Sequence, residues 1–245
     1  DGTTPYRLGD QDLSLFFGQS SFSQYVVTRA SNAVVVDPEV DLTLLGPLGC
    51  GIQTGSGTVL NRLKPVVGES LVVFGCGAVG LSAIMAAKLT GCSQIIAVDI
   101  HASRLALAGE LGATHQINGK EQDAVAVIKQ ITGKGAHYAV ETTGVSAIVL
   151  QAVHAVKPLG TVAIVGFTGD ITLNVQNDLM AEGKSLVGVI EGDAVPALFI
   201  PLLVQLYKQG KFPIDKLIAR YPLADINQAF ADSASGKVIK PVVVM

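Results

Sequence analysis

Charged residues are scarce in this sequence, and so are cysteine and tryptophan. Asp, Glu, Lys and Arg make up 15% of the 245 residues, and 17 basic against 20 acidic side chains leave a formal net charge of −3. This balance excludes the basic surface by which proteins bind nucleic acid. Three cysteines are too few for a disulfide framework, so we expect a reducing, cytoplasmic environment. Trp is absent, whereas 27 glycines indicate tight turns and close backbone approaches.

The sequence also lacks a convincing membrane segment. Hydrophobic residues reach 49%, and residues 70–87 carry no charge, but three glycines interrupt that run and argue against a transmembrane helix. The first residues, which start at Asp1 rather than Met, show no export signal with a basic start and an apolar stretch. We therefore expect no membrane partner, and we expect this chain to be part of a longer one.

From residue 71 onward, short Val- and Ile-rich runs alternate with stretches of helical periodicity. Continuously apolar runs are typical of parallel strands that are buried on both faces. The predicted strands are Leu71–Phe74, Gln94–Val98, His115–Ile117, His137–Val140, Thr161–Val165 and Ser185–Ile190. The predicted helices are Val79–Leu89, Ala102–Leu111, Gln122–Ile131 and Ser146–Val156, ended by Gly91, Gly112, Gly133 and Gly160. The pattern predicts an α/β fold, a doubly wound Rossmann domain with a six-stranded parallel sheet.

The two ends of the chain have a different character. Outside the alternating block, the predicted elements are short β segments at Tyr25–Val27 and Ala33–Val36, helices at Ala197–Gln209 and Leu223–Ala234, and a terminal strand at Lys240–Met245. We interpret residues 1–51 and 191–245 as two parts of a second domain, which residues 52–190 with the alternating pattern interrupt.

A glycine-rich loop, Gly75–Gly80 (GCGAVG), directly follows the first predicted strand and opens a helix. In a G-x-G-x-x-G loop the first glycine permits a tight turn, the second lets the backbone approach a pyrophosphate, and the third allows close helix–strand packing. Asp99 ends the next strand, where a carboxylate accepts hydrogen bonds from the adenosine ribose and repels a 2′-phosphate. The loop predicts NAD binding. A methyltransferase also places an acidic residue on a ribose, but the third glycine and the strand count favour the dinucleotide.

Several motifs along the chain resemble zinc-dependent, medium-chain alcohol dehydrogenases. They are FSQY at Phe22–Tyr25, GCGIQTG at Gly49–Gly55, GCGAVG, VDI at Val98–Ile100, ETTG at Glu141–Gly144, IVGF at Ile164–Phe167 and GKVIKPV at Gly236–Val242. The whole chain is similar to the C-terminal two thirds of such enzymes. The region from Gly188 onward looks most like aryl-alcohol (benzyl-alcohol) dehydrogenases.

The resemblance implies a catalytic zinc bound by two cysteines and a histidine, with an open position for the alcohol oxygen. Cys50 matches one of those cysteines, whereas Cys76 and Cys92 are interpreted as structural. None of the four histidines falls in a matching motif, and the family's other ligands would lie upstream of Asp1. We therefore assign no catalytic residue, and we expect this chain to bind NAD without catalysing the reaction.

The resemblance also implies further cofactor contacts. Thr54 would lie beside the nicotinamide, Val79 under its ring, Arg104 near the adenosine ribose and Thr143 by the nicotinamide ribose. The complete set of expected NAD-binding residues is Thr54, Gly75, Cys76, Gly77, Ala78, Val79, Gly80, Asp99, Arg104, Thr143, Val165, Gly166, Phe167, Val189, Ile190 and Lys240. Within it, the backbone groups at 165–167 and 189–190 would contact the carboxamide. Lys240 replaces an arginine that contacts the pyrophosphate, without its bidentate fork.

Taken together, these observations predict a two-domain oxidoreductase that oxidises a primary, aromatic alcohol to the aldehyde, with zinc polarising the oxygen and NAD accepting hydride. A general aliphatic alcohol dehydrogenase is the alternative within the enzyme class, and a zinc-free dinucleotide-binding or regulatory module is the alternative outside it. The uncharged strand at Ser185–Ile190 is expected at the sheet edge, where pairing with a second copy would give a homodimer or a homotetramer.

Overall fold

The computed structural model describes residues 6–13 and 22–245. Its centre is a sheet of six parallel strands, which confirms the predicted fold class. After a short exposed hairpin of β1 (Tyr6–Leu8) and β2 (Gln11–Leu13), the sheet strands are β3 (Ser70–Phe74), β4 (Gln94–Asp99), β5 (His115–Asn118), β6 (Ala136–Glu141), β7 (Val156–Ile164) and β8 (Ser185–Gly188). Their spatial order is β5-β4-β3-β6-β7-β8.

Both faces of the sheet are covered, because successive side chains of a strand point in opposite directions. Leu71 and Val73 of β3 pack into one hydrophobic cluster, whereas Val72 and Phe74 pack into the other. All four side chains are buried. This double burial explains why the strands are continuously apolar in the sequence.

The helices around the sheet follow the predicted periodicity. The described helices are α1 (Gly51–Gly57), α2 (Ala78–Leu89), α3 (Ala102–Leu111), α4 (Ala124–Thr132), α5 (Ser146–Ala155), α6 (Pro196–Lys208) and α7 (Ile226–Ala234). Gly91, Gly112 and Gly133 have φ values of 79°, 131° and 82°, which are typical of residues at helix ends. No helix in the portion that the structure describes has both the length and the apolar character needed to cross a membrane.

The role predicted for Gly160 is wrong. Helix α5 ends at Ala155, and β7 begins at the next residue. Lys157 precedes Pro158, and a residue before proline disfavours helical backbone angles, so the helix stops earlier than predicted. Gly160 lies inside β7, where the register of the β6–β7 pair shifts and Leu159 adopts a φ of 65°. The glycine therefore belongs to a strand irregularity.

The predicted β segments at Tyr25–Val27 and Ala33–Val36 are also wrong. This region contains a 3-10 turn at Ala30–Asn32, in which the backbone N–H of Ala33 donates to the carbonyl oxygen of Ala30 over 3.1 Å. Neither segment pairs with another of the described strands.

Strand β8 forms one edge of the sheet, as predicted, but it ends at Gly188 instead of Ile190. A separate parallel pair joins the two strands near the end of the chain, β9 (Ile218–Pro222) and β10 (Lys240–Val244). Strand β10 brings Lys240 towards a cavity at the carboxyl end of the main sheet.

Candidate functional site

One cavity, called here the first cavity, has a volume of about 660 Å³ and lies at the carboxyl ends of β3, β4 and β6. The chain runs from β3 outward to β4 and β5, and then returns to β6 on the other side of β3. A doubly wound sheet opens a crevice at this reversal, and ligands bind there. The fold therefore places the glycine loop and the residues after β6 around one space.

The three glycines of the loop after β3 serve different steric needs. Gly75 has a φ of 92°, and a Cβ atom there would lie 2.5 Å from the Thr142 hydroxyl oxygen. A Cβ atom on Gly80 would overlap the carbonyl oxygen of Gly75, so this glycine lets α2 pack against the end of β3. A Cβ atom on Gly77 would meet no atom within 4 Å. Gly77 therefore borders open space, where the backbone can approach a ligand.

Positive charge surrounds this opening. Helix α2 begins at Ala78, and its first N–H groups point out of the helix with no partner inside it. Arg104 and Lys240 also line the cavity, and neither forms an ion pair with any residue that the structure describes. The Nε atom of Arg104 is buried and has no hydrogen-bond partner among those residues. A helix N-terminus with two unpaired cations suits an anionic ligand.

Asp99 is the last residue of β4, and its carboxylate contacts the glycine loop. One carboxylate oxygen accepts a hydrogen bond from the backbone N–H of Cys76 (2.6 Å). The other accepts from the backbone N–H groups of Ile100 (2.7 Å) and His101 (2.8 Å). These bonds hold the carboxylate in one orientation at the cavity wall, and a carboxylate has further lone pairs with which to accept from a ligand hydroxyl.

A buried carboxylate organises the loop after β6. Glu141 is fully buried and accepts hydrogen bonds from the hydroxyl of Thr143, from its backbone N–H (2.7 Å) and from the backbone N–H of Gly144 (3.2 Å). Thr142 donates its hydroxyl to the carbonyl oxygens of Phe74 (2.9 Å) and Gly75 (3.1 Å). The ends of β3 and β6 are thereby joined, which fixes the floor of the cavity.

Helix α1 carries Thr54 and packs closely on α2. A Cβ atom on Gly55 would overlap the carbonyl oxygen of Val79, and one on Gly51 would lie 3.5 Å from the Val79 side chain. The glycines of this motif therefore allow two helices to approach. Cys50 immediately precedes α1 and borders the first cavity.

A second cavity, of about 760 Å³, also reaches Cys50, and the two cavities therefore adjoin at this residue. Its lining includes Gln53 of α1 and Glu191, which follows β8. Partial burial and the negative charge of Glu191 raise the pKa of the Cys50 thiol, and the ammonium group of Lys240 opposes this shift.

The structure brings together more than half of the predicted site residues. Those that line the first cavity are Cys50, Gly75, Gly77, Ala78, Val79, Asp99, Arg104, Thr143 and Lys240. The side chain of Cys76 is buried in the core, and burial raises the pKa of its thiol. Gly80 lies behind the loop, where it packs on Gly75.

The other predicted residues lie outside the lining of the first cavity. Thr54 is buried, and its hydroxyl donates to a carboxylate oxygen of Glu191 over 3.3 Å. Val165 and Gly166 donate their backbone N–H groups to the carbonyl oxygen of Glu141, and Val189 donates to Ile164. Phe167 and Ile190 are exposed. Direct cofactor contacts from these residues stay predictions.

Several lining residues were missed by sequence reasoning. They are Gly51, Phe74, Val98, Ile100, His101, Gly119, Thr142, Val145, Ile148 and Gln151. Most are apolar and lie at a strand end or in the first half of a helix. For Ile100, His101 and Thr142, the position immediately after β4 or β6 was the available signal, because residues at the carboxyl ends of parallel strands face the binding crevice.

A metal site needs several ligands, and a catalytic zinc needs three from the protein. Among residues 6–13 and 22–245, no group of three or more His, Cys, Asp or Glu side chains could hold a metal ion. Cys50 is therefore the only predicted zinc ligand that the described part of the chain supplies, and these residues do not form a zinc site by themselves.

The known proteins to which this chain is similar are alcohol dehydrogenases. Geraniol dehydrogenase of Castellaniella defragrans is 44% identical over 237 residues, which cover 94% of this chain and 63% of the relative. The crystal structure of benzyl alcohol dehydrogenase from Acinetobacter calcoaceticus matches with a TM-score of 0.90 at 52% identity, over 93% of this chain and 64% of the other. The chain therefore spans a little less than two thirds of the length of these relatives.

A solved alcohol dehydrogenase zinc-binding domain protein from Burkholderia ambifaria is also similar, with a TM-score of 0.91 and 52% identity over 94% of this chain and 63% of that one. The family described as zinc-binding dehydrogenase matches residues 78–208, which is more than half of the chain and includes most of the sheet. The glycine loop, the reversal of the sheet and this match lead to one conclusion: the chain belongs to the zinc-binding dehydrogenase family.

Proposed function

We propose that this chain binds NAD in the first cavity and forms the cofactor-binding part of an alcohol dehydrogenase. The observation that carries the proposal is the arrangement at Gly77, where an open backbone surface adjoins a helix N-terminus and the unpaired cations Arg104 and Lys240. A pyrophosphate is the anion that this arrangement fits. Asp99, at the wall of the same cavity, would accept hydrogen bonds from the adenosine ribose.

The remaining lining suits the other parts of a dinucleotide. Ile100, Val145 and Ile148 provide apolar surface on the adenosine side, and Val79 provides it towards Cys50. When bound, NAD supplies the hydride acceptor for oxidation of an alcohol. The residues of this chain bind the cofactor, orient it towards the second cavity and exclude water from part of its surface. Thr54, Val165–Phe167, Val189 and Ile190 would help to hold the nicotinamide end.

The second cavity would hold the alcohol or the aldehyde. Val26, Val34, Val195 and Ile200 give it apolar walls, and it adjoins the first cavity at Cys50. We propose an aromatic primary alcohol as substrate, because the benzyl alcohol dehydrogenase of Acinetobacter calcoaceticus is 52% identical. The 44% identity to geraniol dehydrogenase makes an aliphatic alcohol the alternative. Steady-state assays of the complete enzyme with benzyl alcohol and with geraniol would distinguish these substrates by kcat/KM.

We further propose that residues 52–190 form the cofactor-binding domain, and that 1–51 and 191–245 belong to the catalytic domain. The three described cysteines are free, which fits a reducing, cytoplasmic compartment. The exposed edge at β8 supports assembly into a homodimer, or into a homotetramer built from such dimers.

Fluorescence titration with NADH and NADPH tests the proposed cofactor site. We expect NADH to bind and NADPH to bind poorly, because the Asp99 carboxylate repels a 2′-phosphate. Asp99→Ala should weaken NADH binding by about tenfold to a hundredfold, since hydrogen bonds to charged groups contribute roughly 1.5–3 kcal/mol. Equal affinities for the two cofactors, or an unchanged NADH affinity in Asp99→Ala, would contradict the assignment.

Asp123→Ala is the matched control. Asp123 accepts a backbone hydrogen bond at the start of α4 (3.1 Å), as Asp99 does after β4, but it does not line the first cavity. This variant should lose some stability and keep the NADH affinity of the wild-type chain. Thermal unfolding of both variants shows whether any loss of binding follows from a loss of folded protein.

A further inference from the structure

The second cavity has an unusual distribution of charge. Among the described residues that line it, Glu191 is the only charged side chain. The polar neighbours of Glu191 in this lining are Cys50 and Gln53, and Thr28, Ser31 and Asn32 add hydroxyl and amide groups elsewhere. The cavity therefore carries one negative charge near its junction with the first cavity, and no cation in its described lining opposes it.

Glu191 is held firmly at this position. One carboxylate oxygen accepts hydrogen bonds from the Gln53 amide (2.9 Å) and the Thr54 hydroxyl (3.3 Å). The backbone of Glu191 has a φ of 50°, and a Cβ atom on the following Gly192 would overlap the carbonyl oxygen of Gln53. Asn61 donates to the carbonyl oxygen of Gly192 over 3.0 Å. The loop therefore packs directly on α1, and the carboxylate has little freedom to turn away.

The amide of Gln53 helps to hold this carboxylate. Its nitrogen donates to Glu191 and to the carbonyl oxygen of Gly49 (3.1 Å), which fixes the orientation of the amide. A ligand group that donates hydrogen bonds would match the Glu191 carboxylate at this end of the cavity, whereas a carboxylate, which only accepts, would not.

The two cavities thus have opposite electrostatic character. Arg104, Lys240 and the start of α2 face the first cavity, which suits the anionic part of a dinucleotide. In the second cavity the charged side chain of the described lining is instead the Glu191 carboxylate. We propose that Glu191 determines substrate specificity, because it rejects ligands with an anionic head group and favours neutral or cationic ones.

This inference rests on the proposed function, since it takes the second cavity as the substrate site. It also has a chemical consequence for that function. An aldehyde product can be oxidised further to a carboxylate, and a carboxylate is the ligand that Glu191 would repel. Glu191 would therefore keep the acid formed by a subsequent aldehyde oxidation from occupying the site of the alcohol.

The test uses benzoate, benzamide and benzamidine, which have nearly the same shape and carry charges of −1, 0 and +1. Their binding to the wild-type chain and to Glu191→Gln is followed through the methyl resonances of Ile200, which lines the second cavity. Two charges about 10 Å apart at an effective dielectric constant of about 20 change affinity by roughly tenfold. We expect benzamide to bind about tenfold more tightly than benzoate, and benzamidine to bind best. In Glu191→Gln, the differences in affinity between the three compounds should mostly disappear.

Asp193→Asn is the matched control, because it removes a negative charge two residues away that is paired with Arg62 (2.6 Å) and lies outside the cavity lining. This variant should bind the three compounds in the same order of affinity as the wild-type chain. Equal binding of benzoate and benzamide, an order that persists in Glu191→Gln, or no shift of Ile200 with any of the three compounds would overturn the inference. A separate NADH titration reports on the proposed function, so the two can fail independently.

Discussion

The three glycines of the loop after β3 are under different steric constraints. Gly75 needs its positive φ, and Gly80 needs the absence of a Cβ atom to let α2 approach β3. Gly77 has a φ of −79°, which any residue can adopt, and open space beside its Cα atom. Gly75 and Gly80 therefore serve the fold, and we propose that Gly77 serves the ligand.

Alanine substitutions should separate these two roles. Gly80→Ala should lower the free energy of unfolding by about 1–3 kcal/mol, which is the usual cost of inserting an atom into a packed region. Gly77→Ala should leave stability within about 0.5 kcal/mol of the wild-type value. It should nevertheless weaken NADH binding, because the added methyl group occupies the surface that the pyrophosphate approaches. Urea unfolding and NADH titration of both variants measure these effects, and a Gly77→Ala chain that binds NADH normally would contradict this role.

At the scale of elements, β3 and β6 are joined at both ends. At the carboxyl end, Thr142 donates to the carbonyl oxygens after β3. At the other end, the backbone N–H of Ser70 donates to Nδ1 of His137 over 3.1 Å, and the backbone N–H of His137 donates to the Ser70 hydroxyl over 3.1 Å. The first of these bonds requires an unprotonated Nδ1, so it makes this link between two central strands sensitive to pH.

His137 should make stability fall as the solution is acidified. Burial, aided by the positive charge of Lys157, lowers its pKa below the ordinary value of 6.5, and Glu69 opposes this shift. The unfolded chain therefore binds a proton at a higher pH than the folded chain does. The contribution of His137 to the free energy of unfolding is fully present above pH 6.5. It is lost as the pH falls from 6.5 towards the lower pKa of the folded state.

Asn at this position provides an acceptor near Nδ1 but does not titrate. We expect the free energy of unfolding of His137→Asn to depend less on pH between about 7.5 and 5 than that of the wild-type chain. Gln116→Asn, at an exposed position of β5, is the control and should keep the wild-type dependence, because it removes no titratable group. Urea unfolding at several pH values is the measurement, and parallel curves for His137→Asn and the wild type would refute this role.

At the scale of the whole molecule, the edge of the sheet predicts how copies assemble. Strand β8 is an edge, with Ser185 and Gly188 exposed and Leu186 and Val187 half-buried. A second copy could continue the sheet across a two-fold axis and satisfy the free backbone groups of this edge. Loops that cover the edge would instead leave a monomer.

Light scattering of the wild-type chain should give about twice its mass of 25.3 kDa. The backbone N–H of Val189 donates to Ile164, so the N–H of Val187 also faces β7 and that of Leu186 faces the free side of the edge. Leu186→Pro should therefore convert the dimer to a monomer that still binds NADH, since proline removes a backbone donor from the free edge. Ser185→Lys tests the same edge without a proline, because it places like charges opposite each other in the paired strands. A wild-type monomer at micromolar concentration, or a dimer unaffected by both changes, would reject this interface.

The metal content of the whole chain is a further prediction. Because Cys50 is the only predicted zinc ligand present, we expect the purified chain to hold less than one zinc ion per molecule and to show no oxidation of benzyl alcohol. Elemental analysis and an assay with NAD are sufficient measurements. Clear turnover by the pure chain would show that other residues complete the site.

The sequence by itself determined the Rossmann-type sheet, the helices around it and the glycine loop. These depend on local patterns: apolar runs, helical periodicity and glycines at fixed spacing, each of which a short segment carries alone. Asp99 was predictable for the same reason, since it ends β4, the strand that follows α2 in the chain. Where a local pattern had no partner strand, as at Ala33–Val36, the prediction was wrong.

Only the tertiary structure decided how the two cavities meet and what charge each one carries. Gln53 and Glu191 are far apart in the sequence, and their contact exists because Gly57 and Gly192 let α1 and the loop after β8 pack directly together. No periodic pattern in the sequence predicts such a contact. Its position depends on how separate segments share one core, since burial and close packing act between neighbours in space, whatever their separation along the chain.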